Sequence, residues 1–249
     1  MRFNEKIVLL YIINLLLYIY LLFILFYLFI DIPMIKYILI LIFTLINYKY
    51  FPLVYTFRFT YIIIKNLYWK KFTKNTKILI ESTRHTNCSL FECDFFGFHK
   101  SNSTYFTELD LCRTQCVLNS TNYFINKLSN NESIPFIPLA SIHNSFLKEI
   151  KPLQNYQMHS KIVSTSDKWV YVMTLFTISN GNSNSNNSYI YNNRRIAAIS
   201  IGKLILKDKI NKSTISPSVL QLNSNLSNES ELLSVIDSIP DLINIYKSI

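Results

Sequence analysis

Cys93-Asp-Phe-Phe-Gly-Phe-His-Lys-Ser-Asn-Ser-Thr-Tyr-Phe-Thr-Glu-Leu-Asp-Leu-Cys-Arg113 is the stretch on which the fold turns. Its first half has neither a helical nor a strand period and carries Gly97 and a run of small polar residues, so it reads as a loop. From Asn102 onward the pattern changes. Tyr105, Leu109, Cys112, Cys116 and Leu118 recur near one face of a helix, which is predicted over Asn102–Lys127 with Asn102 or Ser103 capping its start. A helix of that length has about seven turns.

Outward from it, the chain reads as strands. Ile78-Leu-Ile-Glu-Ser-Thr-Arg84 begins an alternation that runs roughly to Glu92, as one long strand or two short ones. Four further strand candidates follow at Phe136–Glu149, Tyr156–Ser164, Trp169–Ser179 and Arg195–Leu206. Thr165-Ser-Asp-Lys168 has turn chemistry between the middle two, and residues 180–188 form a polar low-complexity loop before the last. Ser230–Ile249, interrupted by Pro240, reads as a helix or an amphipathic tail. Strand, helix, then four strands is an α+β layout, with the helix buried on one side by an antiparallel sheet.

The N-terminal part is of another kind. Ile7–Ile30 is an uncharged run dominated by Leu, Ile, Phe and Tyr. At about 1.5 Å per residue such a helix is long enough to cross a bilayer. Tyr37–Tyr48 is apolar again but short, and Phe51–Trp69 carries Arg58 and Lys65 among aromatics. The anchor is therefore expected over residues 1–69, with one span at about 7–30 and either a second span or an interfacial segment over 35–69. Lys70, Lys71, Lys74 and Lys77 follow it directly, which suits an anionic membrane surface and places the C-terminal part on the cytosolic side. The soluble part is expected over 70–220, with residues 221–249 as a tail.

The 249 residues carry a net charge of +10, yet no dense Lys/Arg stripe interleaved with aromatics appears after residue 77, so no nucleic-acid partner is expected. Four cysteines are too few for a disulfide scaffold and point to a reducing compartment. Three glycines leave no glycine-rich phosphate loop, and there is no Gly-x-Ser-x-Gly elbow or dinucleotide fingerprint. Cys112 and Cys116 are one helical turn apart, but without a histidine at useful distance they read as core thiols, and no metal site is expected.

The quoted stretch resembles the hotdog-fold thioesterases, most closely the fungal membrane-anchored group related to thioesterase superfamily member six. The family form is similar to Asp-x-x-Gly-His-x-Asn-Asn-x-x-Tyr-x-x-x-x-Glu-x-x-Arg, and Asp94, Gly97, His99, Asn102, Tyr105, Asp110 and Arg113 match it in order. Pro152, Gln157 and Asp167-Lys-Trp169 are similar to the family's later strands, so the resemblance covers roughly residues 50–220. Three departures stand out: His99 lies one residue further from Asp94, Ser101 replaces the first Asn, and Asp110 replaces the Glu.

The resemblance implies a long central helix wrapped by an antiparallel sheet and a homodimer formed through sheet edges. It implies hydrolysis of fatty acyl-CoA or another acyl thioester, with no cofactor. Thioester hydrolysis needs a carboxylate to activate water or attack directly, and donors for the developing oxyanion. By the resemblance Asp94 is the base or nucleophile, with His99 and Asn102 positioning the substrate or its carbonyl; the residues alone leave open that Asp94 caps a turn and His99 is a loop histidine. Gly97, Ser101, Ser103, Tyr105 and Arg113 would line the substrate. The other arrangement among hotdog enzymes puts the carboxylate on the helix, as Glu108 or Asp110. The bland reading of Asp110 is an ion pair with Arg113 at i and i+3. The alternative function is an inactive hotdog protein that binds acyl groups or acts as a membrane scaffold. Lys247-Ser-Ile249 differs from the usual retrieval and peroxisomal tripeptides, and the first residues lack the Arg-rich amphipathic look of a mitochondrial presequence, so no such address is expected. An endoplasmic-reticulum membrane is expected by elimination, with a mitochondrial membrane left open.

Overall fold

The computed structural model describes residues 33–51, 53–73, 78–179, 189–222 and 226–249. The expected span at 7–30 and the loop 180–188 lie outside the described residues. The chain forms two units divided at Tyr48/Lys49. In the first, α1 (Pro33–Asn47) takes in the apolar stretch after the Asp31 break, and Met34, Tyr37, Leu41 and Leu45 on it are exposed. No single helix among the described residues is long and apolar enough to cross a membrane. By length and composition, residues 34–50 and 54–72 would do so only as a bent pair.

The second unit opens with α2 (Val54–Ile63), which continues through a π-helical stretch, Ile64–Trp69, to Phe72. The helix thus runs through the expected boundary at residue 69. Then come β1 (Glu81–Asn87), α3 (Tyr105–Asn119), α4 (Tyr123–Ser129), β2 (Leu139–Phe146), β3 (Asn155–Thr165) and β4 (Trp169–Ser179). The last elements are β5 (Ile190–Tyr191), β6 (Arg194–Lys207), β7 (Thr214–Ile215), α5 (Glu229–Ser234) and α6 (Ile239–Ser248). The sheet is antiparallel, in the order β1-β3-β4-β6-β2, with the short β5 and β7 pairing to β6. A long helix lying on an antiparallel sheet is the α+β layout expected.

β4 is apolar but for Thr174, Thr177 and Ser179, because both its faces are covered. Its Tyr171, Met173 and Leu175 pack with Leu242 and Tyr246 of α6, while Val170 and Val172 pack with Leu111 and Val117 of α3. Tyr105, Leu109 and Cys112 of α3 meet Met158 and Phe176 nearer the other end.

Three expectations need correction. The single helix over Asn102–Lys127 is two helices. The Thr121 hydroxyl accepts from the Tyr123 amide at 3.0 Å and donates to the Leu220 carbonyl at 2.7 Å, and this local bonding turns the chain between α3 and α4. Nor is α3 buried on one side only. Ile62 and Leu67, from α2 and its continuation, join the cluster around Leu111 and Val117, so α3 is sandwiched and carries ten buried residues out of fifteen. Finally, the break expected at Pro240 falls just before that residue, between α5 and α6, and Pro240 itself does not interrupt a helix. It sits in the first turn of α6, where its missing N–H leaves no bond unmade.

Candidate active site

The loop that carries the sequence motif is closed at its base. Cys93 and Lys100 form an isolated antiparallel bridge, and the Asp94 amide donates to the His99 carbonyl at 2.9 Å. The Ser101 amide donates to the Glu92 carbonyl at 2.7 Å, and Lys100 Nζ meets Glu92 Oε1 at 2.7 Å. Glu92 also accepts from the Ser89 amide through Oε2 at 2.6 Å, completing a capping box. Inside this frame Asp94 is half-buried, and its Oδ1 accepts from the amides of Phe98 at 2.8 Å and His99 at 3.4 Å. Gly97 makes the turn possible with φ of 72°, a conformation that L side chains resist. The loop projects Phe95, Phe96 and Phe98, all exposed, with the rings of Phe96 and Phe98 stacked at 6.0 Å.

His99 is half-buried, with Nδ1 at 3.2 Å from the Lys100 carbonyl. Asn102 and Ser103 do not cap α3. They lie in the single 3-10 turn Asn102–Thr104 that precedes it, and neither end has a side-chain cap. Ser101 Oγ and Ser103 Oγ are 3.1 Å apart, and the Thr104 hydroxyl ties the turn down by donating to the Ser101 carbonyl at 2.7 Å.

Beneath the loop lies a buried ionic cluster that the sequence reading did not anticipate. Glu108 is 1% exposed and held in a fork by Arg58, whose Nη1 and Nη2 reach its two oxygens at 2.8 and 2.7 Å. Lys49 Nζ stands 3.1 Å from Glu92 and 3.7 Å from Glu108, and also donates to the Asn87 carbonyl. Burial raises the Glu108 carboxyl. The hydrogen bonds and charge of Arg58, with Lys49 and Lys100, outweigh it and hold the group below its ordinary value. Lys100 lies over the rings of Tyr105 and Tyr156, with Nζ at 5.2 and 5.4 Å from their centroids.

The remaining motif residues lie elsewhere. Tyr105 is buried against Phe146 and Phe176, with ring centroids 5.0 and 4.9 Å away, and is a core residue. Asp110 Oδ1 pairs with Arg113 Nη2 at 2.6 Å, as the i, i+3 spacing foretold. Both line an apolar cavity of about 590 Å³ between α2, α3 and the segment leading into β2. Asp94, Gly97, His99, Ser101, Asn102 and Ser103 thus share one loop and turn, Glu108 belongs to the ionic cluster, and Asp110 and Arg113 face the cavity. The ten candidates do not form one constellation. Cys112 and Cys116 lie in the core, and burial pushes the Cys112 thiol up to about 11 despite the hydrogen bond from Ser160. His159 sits away from the motif, bonded through Nδ1 to Glu81 at 2.8 Å.

Against this geometry stand the relatives. The chain is 38% identical over 183 residues to the probable thioesterase YBR096W of Saccharomyces cerevisiae, covering 69% of this chain and 72% of that protein. The chain belongs to that family. It is also 30% identical over 158 residues to the probable thioesterase atnL of Emericella nidulans, covering 54% of this chain and 51% of that one. No protein-family model matches. Solved structures with similar outlines include a 4-hydroxybenzoyl-CoA thioesterase crystallised with 4-hydroxybenzoyl-CoA. That match has a TM-score of 0.43 and 12% identity over 59% of this chain and all of that one. An acyl-CoA hydrolase of Staphylococcus aureus matches with a TM-score of 0.42 and 13% identity over 68% of this chain and 84% of that one.

Proposed function

We propose that the chain is a thioesterase that hydrolyses fatty acyl-CoA, with Asp94 as the carboxylate that activates water or attacks the thioester carbonyl. Membership in the family of the yeast probable thioesterase supports the reaction class. The observation that carries the choice of residue is the anchoring of Asp94. One carboxylate oxygen is fixed by two backbone amides, while the other has no partner among the described residues. A carboxylate held this way keeps one oxygen free of protein partners while the other fixes its orientation, which is what a general base or nucleophile needs. As base, Asp94 takes a proton from water, the water oxygen bonds to the carbonyl carbon as the C–S bond breaks, and the proton passes to the leaving thiolate, giving a fatty acid and the thiol of CoA. As nucleophile, its attack expels the thiolate and forms a mixed anhydride that water then opens to the fatty acid and free Asp94. His99 and Asn102, beside it on the loop and turn, are the groups to position the thioester.

In this reading the protein is a membrane-anchored homodimer. The uncharged run 7–30 supplies the anchor, and the basic residues after it favour a cytosolic domain on an endoplasmic-reticulum membrane. β2 ends the sheet and carries exposed Leu139 and Phe146, which suits pairing with a second copy.

Thiol release from a panel of acyl-CoAs by the full chain tests the proposal. Wild-type turnover is expected to fall about 10²–10⁴-fold in Asp94→Asn, the usual worth of a positioned acid or base. Turnover that survives Asp94→Asn but is lost in Asp110→Asn would move the chemistry to the helix. Binding of acyl-CoA without turnover would select the inactive acyl-binding alternative.

A further inference from the structure

The fold uses one side only of the continuous helix from Val54 to Phe72. Ile62 and Leu67 are buried against α3, and Arg58 is forked onto Glu108. The other side carries Phe57, Tyr61, Ile64, Tyr68 and Phe72, all exposed and spaced by three or four residues, so that they form one stripe. Trp69 stands beside them, 63% exposed. Single exposed apolar residues are ordinary, but a contiguous row of this size marks an interaction surface.

The charge around the row selects its occupant. No Asp or Glu occurs between Asp31 and Glu81, while Lys65, Lys70 and Lys71 lie on or beside the row and Lys74 and Lys77 follow it. Lys65 Nζ lies 5.8 Å from the centre of the Tyr61 ring, Lys70 donates to Asn119 Oδ1 at 2.7 Å, and Lys71 donates to the Leu128 carbonyl at 2.9 Å. None of these partners carries a negative charge, so the three lysines leave the row cationic. Aromatic rings flanked by lysines on an exposed helix face are what a membrane interface favours: the rings sit at headgroup level and the lysines reach anionic lipid. A second copy of the chain is the poorer occupant. A two-fold contact through this row would bring two sets of uncompensated lysines together with no acid to meet them. The sequence also brings the row close to a membrane, since the uncharged run 7–30 and the apolar α1, which ends at Asn47, directly precede it.

We propose that the outer face of α2 and its continuation to Phe72 is a second membrane contact, lying flat in the interface of an anionic bilayer while the inner face packs on α3. The proposal rests on the membrane-anchored reading above and adds an orientation to it, since one span alone leaves a domain free to turn. It also decides against α2 as a second span, because Arg58, Ile62 and Leu67 are committed to the unit and only one face is left for lipid. A helix in this position sinks its apolar face about 5–10 Å into the boundary between headgroups and acyl chains.

The full chain carries its own probes. Its two tryptophans are Trp69 on this row and Trp169 on β4, which is half-buried with Lys203 Nζ 4.5 Å from its ring centre. Trp169→Phe leaves the first as sole fluorophore, and Trp69→Phe leaves the second. Each variant is reconstituted in vesicles of phosphatidylcholine and phosphatidylserine, with the phosphatidylcholine brominated either near the headgroup or near the chain ends. Flotation on a density gradient reports anchoring separately. Trp69 emission is expected to shift to the blue on reconstitution and to be quenched about twofold by shallow bromines, less by deep ones, with Trp169 unaffected by either. Phe57→Ser with Tyr61→Ser, both at exposed positions, should halve that quenching without altering circular dichroism. Replacing phosphatidylserine by phosphatidylcholine should weaken it as well, and quenching indifferent to that change overturns the role of the lysines. Strongest quenching from the deep bromines means that α2 crosses the bilayer, and overturns the proposal. A protein that floats with the vesicles while Trp69 stays unquenched also overturns it, yet leaves the anchor at 7–30 standing; emission equally blue in detergent then assigns the row to a second copy. A chain that fails to float refutes the anchored reading and this proposal together.

Discussion

The two readings of Glu108, catalytic carboxylate or buried counter-ion, make opposite predictions for Glu108→Gln. The wild-type cluster holds two carboxylates, Glu92 and Glu108, against three cations, Lys49, Arg58 and Lys100. The Glu108 side chain is 1% exposed and that of Lys49 2%, so water screens little of their interaction. Neutralising Glu108 leaves Arg58 and Lys49 facing each other across an amide. Breaking a buried pair by removing one partner costs about 3–5 kcal/mol. For a unit of this size, at about 2–4 °C per kcal/mol, the thermal midpoint should fall by about 6–20 °C. Replacing both partners, Arg58→Met with Glu108→Met, should cost much less, since apolar residues of similar volume tolerate the loss of such a pair. Thermal unfolding of the full chain at pH 7, followed by circular dichroism beside thioester turnover, decides the matter. A Glu108→Gln protein with an unchanged midpoint and abolished turnover would refute the structural reading.

The other predictions are narrower. Gly97→Ala meets no atom within 4 Å, so its cost is backbone strain alone, about 1–2 kcal/mol, and it should lower turnover by disturbing the Asp94 loop while leaving the fold intact by circular dichroism. Burial raises the Glu81 carboxyl, but hydrogen bonds from His159 and Tyr191 and the charges of His159 and Lys161 bring it from 4.5 down to about 2. Because the folded value is the lower one, its stabilisation is full above about pH 4.5 and is lost as pH falls toward 2. Acid unfolding of Glu81→Gln should therefore lack that part of the wild-type pH dependence. Cys112 and Cys116 are fully buried with raised thiol values, so an aromatic disulfide reagent should modify Cys93 first and these two only on unfolding.

What the sequence revealed depended on whether the determining interactions were local. β4 was legible to the residue, because ten apolar or β-branched residues ending at Ser179, between a turn and a polar loop, admit few other readings. The Asp110–Arg113 pair was legible from helical spacing alone. The break between α3 and α4 was not, since it depends on the Thr121 hydroxyl reaching a carbonyl ninety-nine residues away. Arg58 showed the same limit. Among the aromatics of 51–69 it reads as an interfacial cation, but fifty residues later Glu108 turns it inward. Lys100 and Glu92 were within or beside the quoted motif, and a buried Lys-Glu pair has no sequence period by which to find it.

The ionic cluster also explains how a loop with three exposed phenylalanines can hold a carboxylate still. Glu92 lies at the point where the loop leaves the end of β1, and Lys100 where it returns toward α3. Their pair, 2.7 Å long with Lys100 fully buried, closes the base of the loop much as a hairpin's first rung does. Lys49 then links Glu92 to Glu108, and Arg58 links Glu108 to α2, so the base is fastened both to the central helix and to the segment entering the unit. Charge-assisted bonds of this kind are short and directional. Only the few residues from Phe95 to Phe98 lie outside this frame, while Asp94 belongs to it, bonded back across the loop to His99. Glu92→Gln should then slow acyl-CoA hydrolysis through the turnover number more than through KM, although Glu92 is buried at the base of the loop. A Glu92→Gln enzyme with wild-type kinetics would show that the loop is held by its backbone bonds alone.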